Sequence, residues 1–180
     1  MSTIGAAFAA GLLWLAHVRG RRWRRKHHHK VASSRGVALH LVLDLSFLPT
    51  LTPREQRSCA LQAELMYSIV RRCACPAYLT LAPWDHRRTD KELKAQGVAA
   101  FHRSLNAFKP DGSLSWDPAF VRFSADDVAL AAPEKTVYLS PDADAVLETI
   151  DPKMCLIFGG IVDRQVAKHL SAERAACGRV

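Results

Sequence analysis

Residues 37–46 carry Val37, Leu39, Leu41, Val42, Leu43 and Leu45, an apolar run so nearly continuous that a strand built from it can show water neither face. Residues 154–162 repeat the pattern and form the most hydrophobic strand candidate of all. Strands buried on both sides belong to parallel sheets, which need helices as crossover connections. The chain supplies them. Thr52 opens a helix with Pro53 in its first position, and Glu55 completes a Thr-x-x-Glu capping box. Cys59, Leu61, Leu65, Ile69 and Val70 follow at near-helical spacing, and the helix is expected to end near Arg72, ahead of Pro76.

Further along, 78–81 reads as a second short strand and 90–105 as a helix carrying Leu93, Val98, Phe101 and Leu105. A loop with Pro110, Asp111 and Gly112 separates that helix from the segment 120–123. Residues 136–139 form a third short apolar strand, and Ser140 followed by Pro141 starts a helix running to about Ile150. The expected architecture is α/β, a mainly parallel sheet with helices on both faces and ligands at the carboxyl ends of its strands. Internal repeats and low-complexity linkers are absent from the domain.

At 180 residues and 49% apolar composition, one globular domain with a tail is expected. The tail is residues 1–36 and the domain 37–180. No acidic residue precedes Asp44, whereas Arg19, Arg21, Arg22, Arg24, Arg25, Lys26, Lys30 and Arg35 do, and these equal the whole formal charge of +8. The domain is therefore neutral on average, and the basic arm points to a polyanionic partner. Residues 4–18 are uncharged but shorter than a membrane span, and positive charge follows rather than precedes them. A transit peptide or an RNA-binding arm ranks above a membrane anchor.

Five cysteines without regular spacing fit a reducing, intracellular compartment, whether mitochondrion, nucleus or cytoplasm. Cys73 and Cys75 lack the further ligands a zinc site needs and read as small thiols on an apolar helix. No metal is expected, and His27, His28 and His29 sit among arginines and lysines that repel a cation.

The chemistry-bearing positions cluster at strand ends. Asp44 closes the first strand, where it either serves a site or caps the following turn. Gly159 and Gly160 interrupt an apolar strand, which signals close approach of something to that strand end. Asp163 lies three residues beyond, and it either acts as a general base or caps the next turn while pairing with Arg164.

Tyr138-Leu139-Ser140-Pro141-Asp142-Ala143, Val146-Leu147-Glu148, Asp151-Pro152 and Ile157-Phe158-Gly159-Gly160-Ile161-Val162-Asp163-Arg164 resemble the successive signatures of the tRNA guanine-9 N1-methyltransferases. Asp44-Leu45-Ser46-Phe47 is similar to that family's opening motif, and the basic arm to its N-terminal extension. The resemblance implies the knotted SPOUT fold, S-adenosyl-L-methionine as methyl donor, and tRNA as substrate, with guanosine 9 methylated at N1. It implies Asp163 as the catalytic aspartate at the N1 proton, and Leu139, Ser140, Gly159 and Gly160 in segments lining the donor pocket. Residues Gln165, Val166, Ala167, Lys168 and His169 depart from the family's usual continuation.

The chain ends at Val180, ahead of the family's Pro-Leu-Gly-type loop. The expectation is an incomplete knot with an unpaired sheet edge beside 154–162, which leaves Ile157, Ile161 and Leu170 partly uncovered for a protein partner. The alternative to an enzyme is a non-catalytic RNA-binding or assembly subunit on the same fold.

Arg21, Arg22, Arg24, Arg25, Lys26 and Lys30 are the expected phosphate contacts. Deleting residues 1–36 should weaken tRNA binding and flatten the dependence of affinity on salt, because fewer counterions are released. Titrations of labelled tRNA at several salt concentrations measure this, and an unchanged slope would refute it.

Overall fold

The computed structural model describes residues 38–73, 75–128, 136–140, 143, 146–151 and 153–161. Strands β1 (Leu39–Asp44), β2 (Ala77–Ala82), β3 (Val121–Phe123), β4 (Thr136–Leu139) and β5 (Cys155–Gly159) form one sheet in the order β3-β2-β1-β5-β4. Every pairing is parallel. All carboxyl ends therefore reach the same edge. The helices are α1 (Pro53–Arg72), α2 (Asp90–Ala95) and α3 (Ala99–Ser104), and 3-10 turn Leu48–Thr50 leads into α1.

The parallel sheet expected from the apolar runs is present, and both its faces are buried. The larger core joins Leu43, Leu79 and Leu81 to Cys59, Ala60, Ala63, Tyr67 and Val70 of α1. On the opposite face Val42, Ala82, Cys155 and Ile157 pack with Val128 and Tyr138. The sheet edge expected beside 154–162 does not exist, because β4 pairs along one side of β5 and β1 along the other. Ile157 is accordingly fully buried and Ile161 half-buried, while Leu170 lies outside the described residues. The partner expected to cover that edge has nothing there to cover.

The start of α1 follows its sequence signal. Glu55 N–H donates to Thr52 Oγ1 at 3.4 Å while Thr52 N–H donates to Glu55 Oε2 at 2.6 Å. Its buried face does not follow. Leu61, Leu65 and Ile69 are 57%, 56% and 63% exposed, and the sheet is met instead by small residues. Gln56 explains the rotation. Its buried amide donates to the carbonyls of Leu48, Leu51 and Gly97, and its Oε1 accepts from Phe101 N–H, which turns 56, 59, 60 and 63 inward. Cys59, Ala60 and Ala63 then let the helix lie close to the strands.

The single helix expected over 90–105 is two. Gly97 has φ +71°, Val98 N–H donates to Leu93 O and Gly97 N–H to Lys94 O, a Schellman ending that stops α2. Residues 146–150 are irregular rather than helical, so the helix expected from Ser140 to about Ile150 is not formed there. Val146 is 84% and Ile150 55% exposed, so that segment offers no buried face to hold a helix in place. Cys73 caps the end of α1 half-buried, as a small thiol of that helix should be, whereas Cys75 lies exposed beyond it. Among the described residues, no helix is long and apolar enough to cross a membrane. The described residues also contain no group of three or more His, Cys, Asp or Glu placed for a metal ion.

The second face carries one costly polar group. His40 is buried, with Nε2 at 2.8 Å from Thr80 Oγ1 and the ring stacked on Tyr78 at 4.2 Å. Its Nδ1 has no hydrogen-bond partner. Burial first, then the charge of Arg122, pushes the imidazole down to about 4 from its ordinary 6.5. The unfolded chain therefore takes up this proton first as pH falls, and stability present above pH 6.5 is lost between 6.5 and about 4. The loss attributable to His40 should reach about 3 kcal/mol at most. Urea unfolding measured between pH 7 and pH 4 should show a shallower decline for His40→Gln than for the parent, and parallel declines would contradict this assignment.

Candidate functional site

The carboxyl ends of β1, β5 and β4 converge on Asp44. Its side chain is fully buried, and its two oxygens have different duties. Oδ1 accepts from Ser46 N–H at 2.9 Å, closing the turn after β1, and Oδ2 accepts from the Tyr138 hydroxyl at 3.0 Å. Of the two readings open from the sequence, turn cap or site residue, the first is realised and a link to β4 is added to it.

Register explains why that link is possible. Asp44 stands opposite Gly159, and Tyr138 opposite Ile157, so the tyrosine must reach across the position of Gly159 to meet the carboxylate. A Cβ on Gly159 would lie 3.2 Å from the Tyr138 hydroxyl. The missing side chain keeps that path open. Gly160 solves a different problem on the other side of the strand. Its N–H donates to Asp44 O at 2.8 Å, and a Cβ there would stand 2.6 Å from that carbonyl and 3.2 Å from Cys59 Sγ. The close approach signalled by the glycine pair is thus made by the chain's own backbone and by α1.

The four residues expected at the donor pocket are brought together at this edge. Leu139 stands opposite Phe158 at the end of β4, Ser140 follows it, and Gly159 ends β5 next door. Leu139, Ser140 and Gly159 are half-buried, so they can meet a ligand, whereas Gly160 is buried behind them. Ser140 O accepts from Ala143 N–H at 3.3 Å. Asp163, and Arg21, Arg22, Arg24, Arg25, Lys26 and Lys30 of the arm, lie outside the described residues. Cys59 packs behind Gly160, and burial pushes its thiol up to about 12, well above the reactive range.

Tyr138 was not among the residues expected to act, although it opens the signature Tyr-Leu-Ser-Pro-Asp. The available signal was a hydroxyl-bearing ring in a short apolar strand that ends level with Asp44.

The family described as tRNA (guanine(9)-N(1))-methyltransferase TRM10/TRM10A matches residues 15–178. The chain belongs to that family. Its curated relatives include the tRNA methyltransferase 10 homolog B of Danio rerio, 26% identical over 147 residues, which are 81% of this chain and 43% of the relative. Another is the tRNA (guanine(9)-N1)-methyltransferase of Candida glabrata, 26% identical over 157 residues, 86% of this chain and 48% of the relative. The chain thus spans just under half the length of these TRM10 relatives. Among solved structures, full-length spTrm10 in complex with SAH is 23% identical with TM-score 0.57, covering 79% of this chain and 72% of that one. A second structure, spTrm10(74), is similar at the same TM-score of 0.57 and 23% identity, over 77% of this chain and 67% of that one. The chain therefore shares the α/β fold of these structures, the SPOUT-like fold that the sequence resemblance implied.

The two glycines of this TRM10 signature should respond differently to a methyl group. Gly160→Ala presses on a backbone carbonyl that cannot swing away, and about 2–3 kcal/mol of destabilisation is expected. Gly159→Ala meets only the tip of the Tyr138 side chain, and should cost less than about 1.5 kcal/mol. Urea unfolding of both variants measures the order, and a larger cost at Gly159 would contradict the packing described.

Proposed function

We propose that the chain is the S-adenosyl-L-methionine-dependent methyltransferase domain of a tRNA-modifying enzyme, acting on N1 of guanosine 9. The observation that carries this reading is the juxtaposition of Leu139, Ser140 and Gly159 at adjacent strand ends, within a chain that the TRM10/TRM10A family matches over residues 15–178. Both curated relatives are named as tRNA methyltransferases, and the related spTrm10 structure holds SAH, the demethylated form of the donor.

The residues present suit such a donor. The half-buried ends of β4 and β5 carry no bulky side chain at Ser140 and Gly159, which lets an adenosine-bearing ligand approach the backbone there. Asp44 and Tyr138 tie β4 to β1 across β5, so these strand ends are held at fixed separation before anything binds. S-adenosyl-L-methionine, when bound, supplies an electrophilic methyl group.

The remaining chemistry falls to the protein. N1 of guanine carries a proton that it must lose as it gains the methyl group, and the Asp163 carboxylate is assigned to accept or hold that proton. The basic arm, with Arg21, Arg22, Arg24, Arg25, Lys26 and Lys30, is assigned to the phosphates of the tRNA.

Calorimetry with S-adenosyl-L-methionine and with its demethylated product tests the reading directly, since heat of binding is expected for an enzyme and none for a scaffold. In protein that transfers methyl groups to tRNA, Asp163→Asn should lower the rate while leaving donor affinity nearly intact. If donor affinity fell with the rate, Asp163 would be a cap of the turn and not the group at the proton.

A further inference from the structure

Past the carboxyl ends of β2 and β3, the same edge of the sheet gathers rings that methyl transfer does not use. The exposed His86 ring lies nearly parallel to Phe108, with centroids 6.0 Å apart and planes at 6°, and stands 5.7 Å from Phe123. Phe108 and Phe123 are 5.4 Å apart, and His102 stacks on Phe108 at 5.5 Å. Trp84 and Trp116, both buried, support the group from below at 6.0 Å from His102 and 6.3 Å from Phe123. His86 is exposed, while Phe108, Phe123 and His102 are only half-buried. The result is a firm aromatic shelf with an open side.

Cations follow three of these rings in the chain. Arg87 and Arg88 follow His86, Arg103 follows His102, and Lys109 follows Phe108, with Arg87, Arg103 and Lys109 exposed. Acids share these segments and keep their charge, Asp90 beside His102 among them, while three others are held in their own turns. Asp85 Oδ1 accepts from Arg87 N–H at 3.0 Å, Asp111 Oδ1 accepts from Ser113 N–H at 2.9 Å, and Asp126 accepts from Ser124 Oγ at 3.3 Å.

We propose that this shelf is a second RNA contact, on which unpaired bases of the substrate stack while Arg87, Arg103 and Lys109 meet the adjoining phosphates. Flat rings with exposed cations next to them in the chain suit single-stranded nucleic acid, because every base has a face to stack and every linkage a charge to neutralise. An apolar protein partner would instead be met by exposed guanidinium and ammonium groups around a small patch. The position suits the reading of the chain as an RNA methyltransferase, on which this inference rests. In the order β3-β2-β1-β5-β4 the shelf lies three strand spacings, about 14 Å, from the end of β5 along one edge. Nucleotides flanking a base held at Gly159 can therefore reach it. The shelf would grip RNA without reading its sequence.

The test uses the full chain, a labelled tRNA transcript followed by fluorescence anisotropy, and S-adenosyl-L-methionine followed by calorimetry. His86→Ala should raise the dissociation constant for tRNA about 5- to 100-fold, the range for loss of one base–aromatic stack. His86→Trp should restore binding to the parent level or better. Arg87→Ala combined with Lys109→Ala should flatten the salt slope by about 1–2. None of these variants should change donor binding. If the parent binds tRNA and neither the His86→Ala nor the cation variant differs from it, the shelf is overturned while the methyltransferase reading stands. A loss that His86→Trp fails to restore, or an equal loss against fully paired RNA, would also overturn stacking. Donor binding by a parent that binds no tRNA would overturn the shelf and the choice of substrate together.

Discussion

The contact between Gly160 and Asp44 is the point on which the architecture turns. A backbone N–H of the β5 end donates to the backbone carbonyl that closes β1, at a separation that leaves no room for a Cβ. Any other residue would push β5 away from β1 where the sheet must stay closed for β4 to be added. Because β5 is held there, Gly159 falls opposite Asp44 and the Tyr138 hydroxyl can pass over it to the carboxylate. Three strands far apart in sequence are joined at one height by two glycines, one acid and one phenol. The fully buried Asp44 carboxylate is held by these hydrogen bonds, which suits a group that sets geometry.

Much of the sheet was legible because buried parallel strands announce themselves by unbroken apolar runs, and the first turns of α1 by Thr52 and Glu55. The rotation of α1 was not. Leu61, Leu65 and Ile69 make a convincing apolar stripe, but three bulky side chains hold a helix farther from a sheet than Cys59, Ala60 and Ala63 do, and the Gln56 hydrogen bonds favour the closer packing. Hydrophobic periodicity counts large residues and undervalues small ones. The break between α2 and α3 was available in Gly97, whose left-handed conformation ends a helix that its neighbours would continue.

The neighbour of β5 is hidden for another reason. Residues 154–162 border an empty edge only if the next strand in the sheet lies downstream, whereas β4 precedes β5 in the chain and pairs with it directly. Local sequence reports how buried a strand is but not which strand stands beside it. The strength of burial was itself the warning, since a strand as apolar as 155–159 is a poor edge strand. The glycine pair was similarly half-read. It did mark a close approach, and the group that approaches Gly160 belongs to β1.

Parallel strands have a consequence for function beyond placing a pocket. Every carboxyl end lies on one edge, so the loops after β2 and β3 share a surface with the strand ends at β4 and β5 although their sequences have nothing in common. Average neutrality of the domain hides this. In the segments 86–88, 102–103 and 108–109 cations follow rings directly, with acids close by in the chain. A polyanion approaching the domain therefore senses the local arrangement within roughly a Debye length of about 10 Å rather than the sum of charges. An arm carrying the whole net charge can attract RNA from farther away, but a tail of arginines and lysines fixes no orientation by itself. Orientation requires rigid groups at a set distance from the reacting atoms, and a ring shelf seated on buried tryptophans supplies one where the arm cannot.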